Sequence, residues 1–372
     1  MTNNTAGTGS ETDPGTSGMR AATEAPQEAR QDAPTAYEDR VLGCLLGTMA
    51  GDAYGLLSAA GDDPLTALGD PSDLAVSDAT QLTLYTVDGL TDALEWANDG
   101  VAADETACLW LAYLRWLTRQ GEHLPAAAPA PPARWLDRQE DLLPVHDPDA
   151  DTVRALLTGE MGTRARPLNP HAEGAGALMR SAPFGLVPRI PASLVERLTV
   201  DAAALTHGTA DARATAALYS GIIRSLAIDG LPLEAAVVAE RGEERQLAAD
   251  AGQDPAHAAA EGLVGATVHR TRADRTDAEA TTAAATLEAA LQAAREGASA
   301  ATPRDQLAAA LAHASAAGRP DASPVVAASL AGGIIGALHG TAALPAAYLD
   351  APGAAGVVRS VARTLLKATT GS

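Results

Sequence analysis

Aromatic side chains are scarce in this sequence: they make up 3% of it, and Phe184 is its one phenylalanine. The alternation of β-branched and aromatic residues that marks strands is scarce with them. Apolar residues nonetheless reach 47%, so a sizeable core has to be assembled from Ala, Leu, Val and Ile. That composition suits closely packed helices with small residues at their contacts, and the expectation is an all-α protein. Basic residues are also few, 26 against 47 acidic ones, for a net charge of −21. A nucleic-acid partner is excluded on that balance, because phosphate binding relies on Lys and Arg patches. An anionic membrane surface is disfavoured for the same reason, and the acidic surface reads mainly as a source of solubility.

Cysteine is nearly missing too. Cys44 and Cys108 lie in apolar surroundings without CxxC spacing, so they read as reduced core residues of a cytoplasmic protein. The N-terminus, "MTNNTAGTGSETDPGTSG", has neither a basic region nor an apolar run, so no signal peptide is visible. One long uncharged stretch exists, residues 325–349. It is rich in Ala and Gly, contains His339 and Pro345 and lacks a cationic flank, which favours a buried helix over a membrane span.

Residues 1–36 hold almost no large apolar groups and cannot bury enough surface to offset their ordering entropy, so a disordered acidic tail is expected there. A single domain is expected over 37–372. It opens with a helix from Tyr37, carrying Val41, Leu45 and Met49 four apart, that reaches a Gly-rich bend at Gly51 and Gly55. Residues 81–97 and 108–117 are further apolar-periodic helices. A Pro-rich loop follows from His123, and another helix begins near Arg213 and ends at Gly230. Residues 240–300 read as Ala-rich helix, and "GRPDASP" (318–324) breaks the pattern before the last apolar helix.

Four stretches do more than build helices. In "GCLLGTMAGDAYG" (43–55), glycines every fourth residue permit close approach of a helix or a ligand. In "SDATQLTL" (77–84), Ser77, Asp78 and Thr80 either cap a helix with an acidic first turn or gather oxygen ligands for Mg²⁺. In "NPHAEGAGALMRSAPFGL" (169–186), Gly174 and Gly176 leave backbone N–H groups accessible at the start of a helix, suited to phosphate or ribose. Arg180 is then either a ligand contact or the partner of a core carboxylate. Finally, His207-Gly208 precedes a helix, where the histidine is either structural or functional.

Taken in this order, the four stretches, with "RPDASPVVAASLAGGIIGALHG" (319–340) as a fifth, resemble the motifs of the ADP-ribosylglycohydrolase family, over about residues 38–368. The resemblance implies a compact, mostly orthogonal all-α domain whose cleft holds two Mg²⁺ ions and hydrolyses the glycosidic bond between ADP-ribose and a modified side chain. Two metals there fix the ribose hydroxyls and orient a water. It also implies ADP-ribose or an ADP-ribosylated protein as the partner.

The departures from the family pattern fall on its chemistry. The Thr-Asp-Asp of the first metal loop is Ser77, Asp78 and Ala79, and alanine cannot replace a carboxylate. The Asp-x-Asp of the last motif falls on Ser323, Pro324 and Val325, with Asp321 the nearest carboxylate. An acidic residue common after the GDAxG segment is Ala59, and the third motif's lysine is Glu173. A divalent ion held by so few carboxylates binds weakly. The expectation is a degenerate homologue that binds ADP-ribose or a related nucleotide through Gly174, Gly176, Arg180 and His207. Ser77, Asp78 and Asp321 are what remains of the metal set, and Asp78 is the catalytic residue if one survives. The alternative is an active hydrolase with a reduced metal site that uses Asp52, Asp78 and Asp321. A partner-binding protein with a vestigial cleft is the third reading.

Overall fold

A computed structural model describes residues 36–143, 148–251, 281–316 and 319–371. Among them twelve α-helices form the fold and no strand occurs. The tail expected over 1–36 lies outside the described residues except for Ala36, and so do residues 252–280 of the Ala-rich stretch expected over 240–300.

Helix α1 (Ala36–Ala60) is paired along its length with α11 (Pro324–His339). α1 and the longer helical stretch Pro324–Ala343 that α11 begins are long and apolar enough to cross a membrane, and both are mostly buried inside the protein. The glycine ridge is what brings them together. A β-carbon on Gly43 would sit 2.5 Å from the Gly336 carbonyl oxygen, and one on Gly47 or Gly332 would overlap the facing backbone. The glycines that the sequence suggested would bend α1 instead keep it straight and seated: Gly43, Gly47, Gly51 and Gly55, four apart, lie on one face of an uninterrupted helix. Ser329 Oγ extends the seam with a hydrogen bond to the Thr48 carbonyl at 3.2 Å.

The other helices wrap this pair. α2 (Asp78–Asn98) and α3 (Glu105–Arg119) pack together where Gly89 meets the Leu109 backbone. Then come α4 (Ala150–Leu156), the single turn α5 (Ala182–Gly185), α6 (Ala192–Ala204), α7 (Ala210–Ala227) and α8 (Leu233–Ala251). α9 (Ala283–Gly297), α10 (Pro303–Ser315) and α12 (Ala354–Thr370) complete the set. The few aromatic residues fill the widest gaps: Trp116, Tyr113, Tyr219, Tyr348 and Phe184 are all fully buried. Each such side chain contributes about 2–3 kcal/mol by leaving water.

Most helices start on a side-chain acceptor: Ser77 for α2, Asp104 for α3, Asp149 for α4, Thr209 for α7, Thr282 for α9, Thr302 for α10 and Ser323 for α11. Each satisfies backbone N–H groups that the first helical turn leaves without partners. Cys44 is buried and Cys108 is partly buried, and neither is in a disulfide.

Candidate functional site

The junction of α1 and α2 is built on Asp52, which is fully buried. Its Oδ1 accepts the Ser77 hydroxyl at 2.5 Å, and its Oδ2 accepts the Ser77 N–H at 2.9 Å, the Thr80 N–H at 3.2 Å and the Thr80 hydroxyl at 2.5 Å. Ser77 Oγ in turn accepts the Ala79 N–H at 3.1 Å. Asp52 and Ser77 together satisfy the N-terminus of α2, which is the work of a helix cap. Burial raises the Asp52 pKa, opposed by those same hydrogen bonds.

Asp78 opens α2 and reaches the start of α4. Its Oδ2 accepts the Asp149 N–H at 2.7 Å. Burial, reinforced by the charges of Asp149 and Asp52 and opposed by that N–H, pushes its carboxyl up to about 7. Asp149 caps α4: its Oδ2 accepts the Thr152 N–H at 2.7 Å and the Thr152 hydroxyl at 2.6 Å. The same Oδ2 lies 3.5 Å from His207 Nε2. His207 is completely buried, and that Nε2 has no hydrogen-bond partner. Burial lowers its pKa, with the Asp149 charge acting against and the Arg180 charge with that shift, so the ring is neutral at pH 7.

The glycine loop lies against this pair. A β-carbon on Gly176 would stand 2.5 Å from Asp149 Cγ and 2.7 Å from His207 Cε1, whereas one on Gly174 would stand 3.8 Å from His207 Nε2. The helix expected at Gly174 is absent. The chain there is irregular and tightens only into a 3₁₀ turn over Leu178–Arg180, so the two glycines serve close approach instead of a helix N-terminus.

Arg180 is 1% exposed and stacks on the Tyr113 ring, 4.3 Å from its centroid. Among the described residues no carboxylate pairs with it. Its Nη2 donates instead to Thr206 Oγ1 at 2.7 Å, and Thr206 Oγ1 lies 2.8 Å from His207 Nδ1. Of the two readings of Arg180 taken from the sequence, the partner of a core carboxylate does not describe this arrangement. One more side chain ties the pieces together. Asn169, in the left-handed region at φ 46°, donates to the carbonyls of Asp151 at 2.6 Å and Thr206 at 3.0 Å.

The fold thus gathers Asp78, Gly174, Gly176 and His207 around Asp149, with Arg180 behind the histidine. Asp321 is tied to the glycine loop through the backbone alone: its carbonyl accepts the Thr282 N–H at 2.9 Å, and the next residue, Ala283, donates its N–H to the Glu173 carbonyl at 2.8 Å. The Asp321 side chain is half-exposed, 3.6 Å from Arg319, and makes no hydrogen bond or ion pair with the cluster. Asp149, Thr206 and Asn169 went unread in the sequence. For Asp149 a signal existed: Asp149 with Thr152 three residues on is a helix-start pattern, though nothing local aims it at His207.

The side chains at the metal-loop positions do not fit a pair of Mg²⁺ ions. Both oxygens of Asp52 are taken by the α2 cap. Ala79 is a fully buried methyl, and Val325 packs on the α1 backbone at Gly55. Ser323 is spent capping α11. Among the described residues no three His, Cys, Asp or Glu side chains stand together as a metal-holding group, and hard cations need such a set of oxygens.

Comparison with known proteins agrees with this architecture. The sequence profile of the ADP-ribosylglycohydrolase family matches residues 33–372. No curated relative matches the chain. A solved structure titled "ADP-ribosylglycohydrolase-related protein complex" superposes with a TM-score of 0.53 at 21% identity, covering 90% of this chain and 99% of the other. At that identity the likeness is one of fold.

Proposed function

The chain belongs to the ADP-ribosylglycohydrolase family, and from that premise we propose that it binds ADP-ribose, or a related nucleotide, at the Asp78–Asp149–His207 cluster without the family's metal pair. The observation that carries this reading is the contrast between the metal-loop positions and the cluster. The metal-loop positions hold Ala79, Ser323 and Val325, two of them apolar and one a helix cap, while the glycine loop lies against Asp149 and a buried, unpartnered His207 Nε2. Carboxylate oxygens accept ribose hydroxyls and a neutral imidazole N–H donates to a ligand oxygen, so the cluster offers complementary groups to a sugar without a cation.

Thermal unfolding with ADP-ribose, in EDTA and in millimolar Mg²⁺, tests the proposal. Ligand at 100 times its Kd stabilises by about 2.7 kcal/mol, which is roughly 4 °C for a folded domain of roughly 300 residues. The expected result is the same rise in both buffers, abolished in His207→Ala. A rise that requires Mg²⁺, or none at all, overturns it.

One observation favours a second reading, metal-free hydrolysis. Asp78 is a carboxyl that titrates near neutrality and touches a second carboxylate residue. Such a pair can protonate a leaving group from Asp78 while Asp149 accepts a proton from the attacking water. Release of ADP-ribose from a modified arginine or serine peptide in EDTA, lost in Asp78→Asn, would establish that reading over simple binding.

A further inference from the structure

We propose that Thr206 is a positioning residue that fixes His207 in the tautomer protonated at Nε2, so that the ring presents an N–H donor to the ligand oxygen held between Asp149 and the glycine loop. The placement of that oxygen rests on the binding reading above; the tautomer does not.

The protons that Arg180, Thr206 and His207 can offer one another decide the tautomer. A guanidinium can only donate, so the 2.7 Å contact makes Thr206 Oγ1 the acceptor of Arg180 Nη2. Thr206 is fully buried, and the described residues provide its hydroxyl with one other partner, His207 Nδ1 at 2.8 Å. Were Nδ1 protonated, both donors would point at Thr206 Oγ1 and the threonine's own proton would be buried with no acceptor, an arrangement proteins avoid. The hydroxyl therefore donates to Nδ1. A neutral ring with an occupied Nδ1 lone pair carries its proton on Nε2.

The far side of the ring agrees independently. Nε2 lies 3.5 Å from Asp149 Oδ2. A bare Nε2 lone pair there would face a carboxylate and be repelled, whereas an N–H is attracted. At 3.5 Å the pair is too long for a good hydrogen bond, and Nε2 has no other partner. An acceptor entering beside Gly174, where no side chain intervenes, would complete it. Arg180 thereby acts on the ligand through two intermediaries: its charge orients a hydroxyl, the hydroxyl orients an imidazole, and the imidazole meets the ligand.

Long-range ¹H–¹⁵N spectra of the full chain at pH 7 read the tautomer directly, with the His207 signals assigned by their loss in His207→Gln. The expected wild-type pattern is a protonated Nε2 and an unprotonated Nδ1. In Thr206→Val the pattern moves toward protonation at Nδ1, and affinity for ADP-ribose falls about tenfold, the effect of one lost hydrogen bond. Thr206→Ser restores both, which a role in packing alone would not do. A wild-type His207 protonated at Nδ1, or a Thr206→Val spectrum identical to wild type, overturns the proposal. If Thr206→Val does not fold, the wild-type and Thr206→Ser spectra decide. A correct tautomer in a protein that binds no ADP-ribose leaves the relay standing and removes the binding reading instead.

Discussion

Replacing Asp52 with alanine deletes the acceptor of four hydrogen bonds at the start of α2, from the N–H and hydroxyl groups of Ser77 and Thr80. The two hydroxyls can turn toward other acceptors, but the two backbone N–H groups stay buried in place. A buried donor left without a partner costs about 1–3 kcal/mol, and hydrogen bonds to a charged acceptor are individually worth about 1.5–3 kcal/mol. Against that, the variant no longer holds a carboxylate out of water, a penalty that already raises the Asp52 pKa. The net expectation is a loss of about 3–5 kcal/mol. An unfolding entropy of about 2.1 cal/mol/K per residue gives roughly 0.6 kcal/mol/K for roughly 300 folded residues, so Tm falls by about 5–8 °C. Calorimetry in EDTA and in Mg²⁺ measures it, and the loss should be the same in both. A Tm within 1 °C of wild type would refute the capping role. A wild-type Tm that Mg²⁺ raises and Asp52→Ala makes insensitive to Mg²⁺ would show that the carboxylate is a metal ligand after all.

Two further outcomes follow from the cluster. Asp78 titrates at about 7 when folded against about 3.9 unfolded, so the folded state holds a proton that the unfolded state has released. Its contribution is complete below about pH 4 and is lost as pH rises to about 7, by up to ~4 kcal/mol. Asp78→Asn stays neutral throughout, so urea unfolding should find the variant gaining on wild type across that window; a constant difference would sink the assignment. The glycine loop supplies a paired comparison. Gly176→Ala drives a methyl into Asp149 and His207 and should abolish ADP-ribose binding at a stability cost of about 1–3 kcal/mol. Gly174→Ala, whose added carbon meets those residues at 3.8–3.9 Å, should keep binding within a few-fold in titration calorimetry.

The helices were legible in the sequence because their signals are local. Apolar spacing placed α2, α3 and α7 to within a few residues, and the break at Pro324 set the start of α11. The ambiguity at Ser77 was legible as well, since cap and ligand call for the same oxygens. What resolves it is Asp52, 25 residues earlier on another helix, a partner that no local pattern identifies. The same holds for Asp149. Its role as a cap can be read in six residues, but its meeting with His207 depends on the loop that Asn169 pins to both segments. Gly51 and Gly55 misled for a related reason. Glycine spacing alone cannot distinguish a bend from a straight helix that needs bare backbone, and the partner that decides, α11, begins some 270 residues later.

The lost carboxylates and the completed caps are two sides of one electrostatic balance. Asp78 already feels the charges of Asp52 and Asp149, and both Asp52 and Asp78 are almost wholly buried. In a metal-holding site each further carboxylate is offset by a cation. Without one, a charge at Ala79, which is fully buried, would have neither water nor a partner and would cost several kcal/mol. Asp52 avoids that cost through four donors, and Asp78 avoids it by keeping its proton up to neutral pH. On the metal-free reading proposed above, Ala79, Ser323 and Val325 each add no negative charge to a site that has no cation to offset it, and the glycine loop and His207 need none.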